Sequence, residues 1–439
     1  MAKFKNSSEA IDSTLVLWPG VKHTNTSVSE IYDIFVRPLN PIEQGPGQTI
    51  QFDVPQQQTG FLLDVEYVAT FRVRKENEVL PATEQVSIVN NIAAALFSMV
   101  EVRVNERMNL LQQMRQSYNL CNYFETVLNN SIEREEILAT RELFIMDVGS
   151  SKEEADESKY IIDEHHHVTA ASIKNTGAAE RARKIALSAK CTVSSKINVP
   201  FLKQHKAILP NTSLLLTFTL NDPEYMIMAS TDEYQLIVDD MYLKCTYVKP
   251  HPILHSLITE KLKTNPVIYE CDKQVLAARL LPAGSQHYTI DNMFEQVLPK
   301  FLLLALQDPE SMNGKINKNN FTFYSISSCQ LYINNRQYFA KPLTNDPREM
   351  LDQIYKSVGK DGTGSCLLKR NNLAINQFYT FTLTDDRIFG KHYGLKKIAD
   401  TRIEIDVGTV TASNLVLLAY CLHDIQIIYD SAGNISVVE

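Results

Sequence analysis

The sequence predicts an all-β protein built as two tandem antiparallel eight-stranded jelly rolls, a double jelly roll with one short helix in each half. Three observations predict this. Apolar residues recur mostly with period two, which puts one face of a strand in a core and the other outside it. Convincing helical periodicity is confined to two short stretches, 117–130 and 345–359. The phrase apolar–x–apolar–Asn–x–Arg is written twice, as VRVNER at 102–107 and LYINNR at 331–336, each time after a strand pattern and before a helical one.

Residues 1–46 are polar and mixed and end in RPLNPIEQGPG. Pro38, Pro41 and Pro46 fix φ and remove donors, so this part reads as an extended N-terminal arm. Strands then follow. QTIQFDV (48–54) alternates Ile50, Phe52 and Val54, and FLLDVEYVATFRVRK (61–75) alternates Val65, Tyr67, Ala69, Phe71 and Val73. MVEVRVNER (99–107) puts Val100, Val102 and Val104 on one face. In SYNLCNYFETVLNN (117–130) Leu120, Phe124, Val127 and Leu128 change to helical spacing, with Ser117 as N-cap. Residues 147–184 are charged and poor in apolar period, so they read as a long surface loop. Strands resume at 186–200, 213–222 and 234–249.

The second half repeats the plan. Strand patterns occupy 265–275, 296–308, 328–339, 378–386, 401–408, 414–424 and 425–430. NDPREMLDQIYKSVG (345–359) reads as a helix with Asp346 at its cap and Pro347 in its first turn. TFTL also occurs twice, at 217–220 and 380–383, each followed by an acid, Asp222 and Asp385. Two phrases in the same order favour an internal duplication. Their offsets differ, so the first half must carry extra chain between helix and TFTL. About eight antiparallel strands per copy must stack or close to bury their apolar faces, and a jelly roll does so. The reading is a 1–46 arm, a first jelly roll over 47–250 with the long loop 147–184, and a second over 251–439. Asn tolerates a left-handed backbone, so each Asn-x-Arg is expected to end a strand and turn the chain.

Composition bounds the function. The 439 residues are 44% apolar and 21% charged, ordinary for a globular protein that needs no staples. Net charge is −8 with no basic run, which argues against direct sequence-specific nucleic-acid binding. Seven scattered cysteines (Cys121, Cys191, Cys245, Cys271, Cys329, Cys366 and Cys421), none in a CxxC pair, read as reduced and buried. The start lacks the apolar core of a signal peptide, and the longest apolar runs, such as FLLLAL at 301–306, fall far short of the ~20 residues of a membrane helix. Asn-x-Ser/Thr matches such as Asn6 and Asn320 are therefore read as chance.

FSMVEVRVNERMNLL followed by SYNLCNYFETVLNN resembles the core signature of double jelly-roll major capsid proteins, in particular those of Polinton/Maverick elements and adintoviruses. IQFDV with LLDVEYVATFRVRK fits that family's first strands, and LPKFLLLALQD with LYINNRQYFAKPL its second roll, so the resemblance runs from about residue 45 to 430. Its motifs are short and their order carries the likeness; segment 147–184 has no counterpart in the pattern. The resemblance implies a structural subunit that trimerises into a pseudo-hexagonal capsomer of an icosahedral shell. It implies a place in the virion capsid after synthesis in host cytoplasm or nucleus, with penton or other minor capsid proteins as partners. The rival reading is a tandem β-sandwich that binds carbohydrate or protein, for which exposed aromatics would argue; the only Trp is Trp18, in the arm. A metal-dependent jelly-roll enzyme is the third.

The chemistry-bearing residues do not assemble into a site. His165, His166 and His167 are consecutive, so on an extended chain they point to opposite sides, and no partner ligands stand at zinc-like spacing. No His-x-His occurs, as a cupin metal site would need. KDGTGSCLLKR (360–370) lacks the order of a phosphate loop and reads as a flexible loop, as does GKHYGLKK (390–397). Asp239–Asp240 and Asp385–Asp386 are adjacent acids, read as exposed turn residues. The sequence therefore assigns no catalytic, cofactor-binding or metal-ligating residue, no cofactor and no enzymatic activity.

Overall fold

The computed structural model describes residues 27–76, 78–81, 86–104, 109–115, 118–146, 176–210, 212–229, 234–294, 297–307, 309, 326–359, 366–368, 377–384, 398–408, 411, 413–430, 433 and 435–438. Trp18, the first Asn-x-Arg (Asn105 to Arg107), Ser117, His165 to His167, Asp385–Asp386, residues 390–397 and most of 360–370 lie outside the described residues.

One face of each alternating segment is buried, as its period requires. The first half contributes β1 (Val28–Val36), β2 (Thr49–Val54), β3 (Phe61–Lys75), β4 (Phe97–Val104), β5 (Asn109–Arg115), β6 (Cys191–Lys196), β7 (Leu214–Leu220) and β8 (Tyr234–Pro250). The second contributes β9 (Val267–Leu281), β10 (His287–Asp291), β11 (Phe301–Gln307), β12 (Ser328–Ile333), β13 (Arg336–Gln337), β14 (Tyr379–Thr382), β15 (Thr401–Asp406) and β16 (Leu415–Tyr429). The first roll stacks sheet β1-β8-β3-β6 on β2-β7-β4-β5, and the second stacks β9-β16-β11-β14 on β10-β15-β12-β13. Adding eight to each strand number of the first roll gives the order of the second. The chain is thus an antiparallel double jelly roll. A short strand, Glu78–Val79, extends the edge of β3; Leu343–Thr344 pairs with β12 and Ile435–Val438 with β16. Helices α1 (Tyr118–Asn129), α2 (Glu135–Arg141), α3 (Thr176–Ile185), α4 (Pro200–Lys203), α5 (Pro252–Thr264) and α6 (Pro347–Ser357) lie between strands.

The duplication is real, but only one of its two phrases marks it. LYINNR ends β12, and VRV ends β4, so the Asn-x-Arg phrases sit on equivalent strands. In the second copy Ile333 pairs with Arg336 across Asn334 (φ 50°) and Asn335 (φ 61°), a two-residue turn with both residues left-handed, as a tight hairpin requires. TFTL does not mark equivalence. Thr217–Leu220 lies in β7, whereas Thr380 to Thr382 lie in β14, the counterpart of β6. The match is a coincidence of strand chemistry: β-branched threonines alternate with a buried aromatic, Phe218 or Phe381.

Three further expectations are corrected. Val28 to Val36, read as part of an arm, form β1 and pair with β8 from Val28↔Pro250 to Val36↔Leu243. The stretch has no internal Pro or Gly, and its Tyr32, Ile34 and Val36 pack against the core. The end of the 147–184 loop is not a loop: α3 is buried on Ala178, Ala179, Ala182 and Ile185. Its Arg181 is fully buried, with Nε donating to the Ile88 carbonyl (2.9 Å) and Nη1 to that of Ile145 (2.5 Å). Ser87 Oγ donates to Ala178 O, and a Cβ on Gly177 would meet Met146 O at 2.5 Å, so this helix is fixed closely to the roll. The segments 414–424 and 425–430 are one continuous strand, β16. The helix at 345–359 forms as expected, with the Asp346 carboxylate accepting from the Arg348 amide.

The core explains the uninterrupted apolar runs. Inside the first roll Phe97 and Phe218 meet at 4.9 Å between centroids, with Tyr67 5.4 Å from Phe97. In the second roll, sheet β9-β16-β11-β14 has no polar face at its centre. Leu302, Leu304 and Leu306 enter the core between the second roll's own sheets, while Phe301, Leu303 and Ala305 enter a core continuous with the first roll. Leu417, Ala419 and Cys421 of β16 face the former; Leu418, Tyr420 and Leu422 face the latter. That is why FLLLALQ shows no alternation: all seven residues are buried.

Two stability predictions follow from this packing. Leu302→Ala and Leu303→Ala, neighbours on opposite faces, should each lower the unfolding free energy by about 2–5 kcal/mol, while Glu404→Ala on the outer face of β15 should stay near wild type; chemical denaturation compares them, and tolerance of Leu303→Ala would mean that the rolls are not packed together. Arg181→Ala removes the donor to the Ile88 and Ile145 carbonyls and empties a fully buried site, so it should cost about 3 kcal/mol, measured as a lowered thermal midpoint and faster proteolysis between Met146 and Cys191.

Candidate functional site

The described acids and thiols are occupied in structural work. Asp239 is the extra residue of a bulge between Val238 and Asp240 in mid-strand β8, not a turn residue. The bulge sends the two carboxylates to different cations. Asp239 faces Arg72 (3.0 Å) and Lys190 (3.6 Å), and Asp240 accepts both of its hydrogen bonds from Arg37 (2.7 and 2.9 Å). Of the glycine-rich stretch at 360–370, Cys366, Leu367 and Leu368 are buried, and the Leu367 amide donates to Val127 O of α1. All seven cysteines are free and buried. Burial pushes the Cys191 thiol up to about 11 and those of Cys245, Cys271 and Cys329 up to about 12, so their thiolates are scarce at neutral pH. Among the described residues, no three His, Cys, Asp or Glu side chains converge to hold a metal.

What the fold does present is extended contact surface, and one such surface is already filled within the chain. Helix α1 lies between the rolls. Phe124 packs at a tilt against Tyr420 of β16 (5.7 Å) and edge-on to Phe378 (5.4 Å). Phe201 of α4 meets Tyr269 of β9 edge-on (5.6 Å), and the Tyr269 hydroxyl accepts from the Leu209 amide. Gln274 of β9 donates to Glu125 and Asn198, and Thr212 Oγ1 to the Tyr429 hydroxyl. The contact combines a buried aromatic centre with hydrogen-bonded polar groups, among which Gln274 Oε1 and Asn198 Nδ2 are buried without a partner among the described residues.

The corresponding face on the first roll is open. Outward side chains of β1 and β8 include Ile31 and Phe35, 59% and 63% exposed. Phe35 meets Tyr242 edge-on (5.8 Å), and the Arg37 guanidinium lies 5.3 Å over the same ring. Lys244 pairs with Asp33 (3.2 Å), and Lys196 with Asp64 on β3. The far side of this sheet is covered by the chain's own α2, whose Arg141 reaches Glu66 (3.1 Å) and Ser194 (3.2 Å). Sequence reasoning missed this face because it took β1 for arm. The available signal was VSEIYDIFV, nine residues rich in β-branched and aromatic types that carry apolar side chains on both sides. Among the described residues, no helix is long and apolar enough to cross a membrane.

No known family pattern matches the chain, and no curated protein does. Solved structures do. The chain is similar to a chain of the Sputnik virophage particle, with a TM-score of 0.62 at 11% identity, covering 99% of this chain and 93% of that one. It is similar to the mavirus major capsid protein (0.56, 10% identity, 100% and 96%) and to the Faustovirus major capsid protein (0.57, 9% identity, 94% and 92%). The fold, over nearly its whole length, is that of viral major capsid proteins.

The buried thiols make a prediction of their own. At pH 8 the folded protein should react negligibly with a thiol reagent, and seven equivalents should react once it is unfolded; fast labelling of the native protein would contradict the burial of these groups.

Proposed function

We propose that this protein is the major capsid protein of a virus or virus-derived element of the Polinton/Maverick and adintovirus kind, a structural subunit with no enzymatic activity. The observation that carries the reading is the paired architecture. Two rolls of equivalent strand order are joined by an apolar seam that spends the outer face of one sheet inside the chain. Such a chain offers two similar wedges side by side. Three chains related by about 120° then give six wedges in a pseudo-hexagonal ring, closed by a heterologous contact. The first roll, β1 to β8, and the second, β9 to β16, are the two domains, with α5 as the linker. The rings tile an icosahedral shell, with penton or other minor capsid proteins at special positions, in virions assembled from subunits made in host cytoplasm or nucleus. The likeness to capsid proteins over more than nine tenths of three solved chains supports this reading.

The test is the particle itself. Light scattering of purified protein should give about three times the chain mass, and electron microscopy a hexagonal outline. A monomer or a twofold dimer at micromolar concentration and moderate salt would overturn the proposal in favour of a tandem-sandwich binding protein.

A further inference from the structure

We propose that the outer face of α5 is a docking site for the chain's own N-terminal residues, and that Leu15 to Trp18 are the segment that covers it. The inference concerns one end of a single subunit and does not rest on the capsomer reading.

Helix α5 joins the two rolls and is packed on one side only. His255 meets Phe61 edge-on (6.1 Å), and Ile258 and Leu262 pack on the core shared by the rolls. At 3.6 residues per turn, Ile253 and Leu257 fall on the opposite side of the helix. They are 68% and 56% exposed, one turn apart. A surface helix ordinarily turns its polar residues outward, whereas α5 turns these two apolar ones. Single exposed apolar residues are ordinary; what sets this pair apart is the chain that begins beside it.

The Ser27 carbonyl accepts from the amide of His251 (3.0 Å), the residue that caps the start of α5. The N-terminal residues therefore enter the fold beside the first turn of this helix. Residues 1–26 hold one run of four apolar residues, Leu15-Val16-Leu17-Trp18. Such a run left in water violates binary patterning unless it has a surface to meet. Pro19 and Gly20 end the run, and the polar stretch from Lys22 to Ser27 follows as tether. From Trp18 to Ser27 the chain can extend to about 30 Å, while Leu257 stands only about 9 Å along the helix axis from His251. The tether reaches the pair with slack. A tether this short holds the segment at about millimolar effective concentration over its own helix, which favours the same chain over a second copy as its source. The charges run in the matching order. Glu9 and Asp12 precede the apolar run, and exposed Lys261 and Lys263 follow Leu257 on α5. A segment laid from Ser27 toward the helix C-terminus brings acids to lysines.

Trp18 is the only tryptophan, so the intrinsic fluorescence of the full chain reads this segment alone. In the folded protein its emission should be blue-shifted from that of the urea-unfolded chain and several-fold less quenched by acrylamide. Ile253→Lys/Leu257→Lys changes two side chains that belong to neither core. Its far-ultraviolet circular dichroism should match wild type, while Trp18 emission and quenching move to the unfolded values. Leu15→Glu/Leu17→Glu, which alters only the N-terminal segment, should do the same. A folded wild-type protein whose Trp18 is as exposed as in urea overturns the proposal. So does a folded Ile253→Lys/Leu257→Lys protein whose Trp18 stays shielded. Co-refolding Ile253→Lys/Leu257→Lys chains with Trp18→Phe chains, whose α5 is intact, should leave Trp18 exposed. Recovered shielding in that mixture overturns the same-chain assignment and gives the site to the arm of a second copy. A Trp18 that is exposed in the protein alone and blue-shifts only with phosphatidylserine vesicles overturns it in favour of a lipid surface.

Discussion

The structure depends on one sheet that has no outside. In an ordinary sandwich each sheet offers one face to the core and one to water. At the centre of sheet β9-β16-β11-β14, strands β16 and β11 offer both faces to cores, their own roll's and the seam with the first roll. Every element nearby answers to that constraint. The strands must be apolar on both sides, hence FLLLALQ and LVLLAYC. The first roll must supply an apolar lid, hence Phe124 and Phe201. The lid must reach out of the first roll, hence the helical insertion between β5 and β6. The second roll thus borders two interiors, and each side of the central leucine run is costly to disturb.

The constraint relaxes where the strands leave the seam. Between Leu422 and Ile425 the face of β16 that meets the core shared with the first roll switches, although its pairing with β9 runs without a bulge, and His423 and Asp424 are half-buried at the change. Asp424 stands opposite Asp272 in the β9–β16 register. Two facing carboxylates would repel, and Lys300, only 9% exposed along its side chain, donates to both. Burial alone would lower the Lys300 pKa. The charge and hydrogen bond of Asp272, and then those of Asp424, more than reverse that and raise it above 10.5. A raised lysine pKa contributes its stability fully below the unfolded value and loses it as pH climbs through the folded one. The lysine's contribution to the cluster is therefore lost only in strong alkali.

Legibility followed the same physics. Strands with one wet face announced themselves: Ile50, Phe52 and Val54 in β2, or Val65 to Val73 in β3, are buried in strict alternation. Strands with two dry faces did not, so β16 looked like two pieces. Strand β1 failed for a related reason, since Ile31 and Phe35 point outward while Tyr32 and Ile34 point in, which erases the period. Helix α3 escaped notice because alanines are a weak apolar signal and Arg181 reads as a surface residue until its carbonyl partners are known. The Asn-x-Arg repeat was informative because it encodes a backbone need, and TFTL was not because it encodes only strand habit. The contact surfaces were not readable from residue order, because they exist only once β1 is placed beside β8.

Strand order has a consequence for how the chain comes into being. In both rolls the last strand lies between earlier ones: β8 separates β1 from β3, and β16 separates β9 from β11. Neither large sheet can close until its final strand has left the ribosome. At roughly 5–20 residues per second, the interval from Pro250 to Tyr429 is many seconds, during which a finished first roll displays Phe124 of α1 and Phe201 of α4 with nothing to cover them. Such high sequence separation also makes closure slow. A cell making this protein in bulk therefore carries a standing population of half-built subunits with an open apolar flank, and newly made chains on one message are near enough to find each other's flanks first. Shielding of that flank during synthesis, rather than the stability of the finished fold, then limits the yield of folded chain.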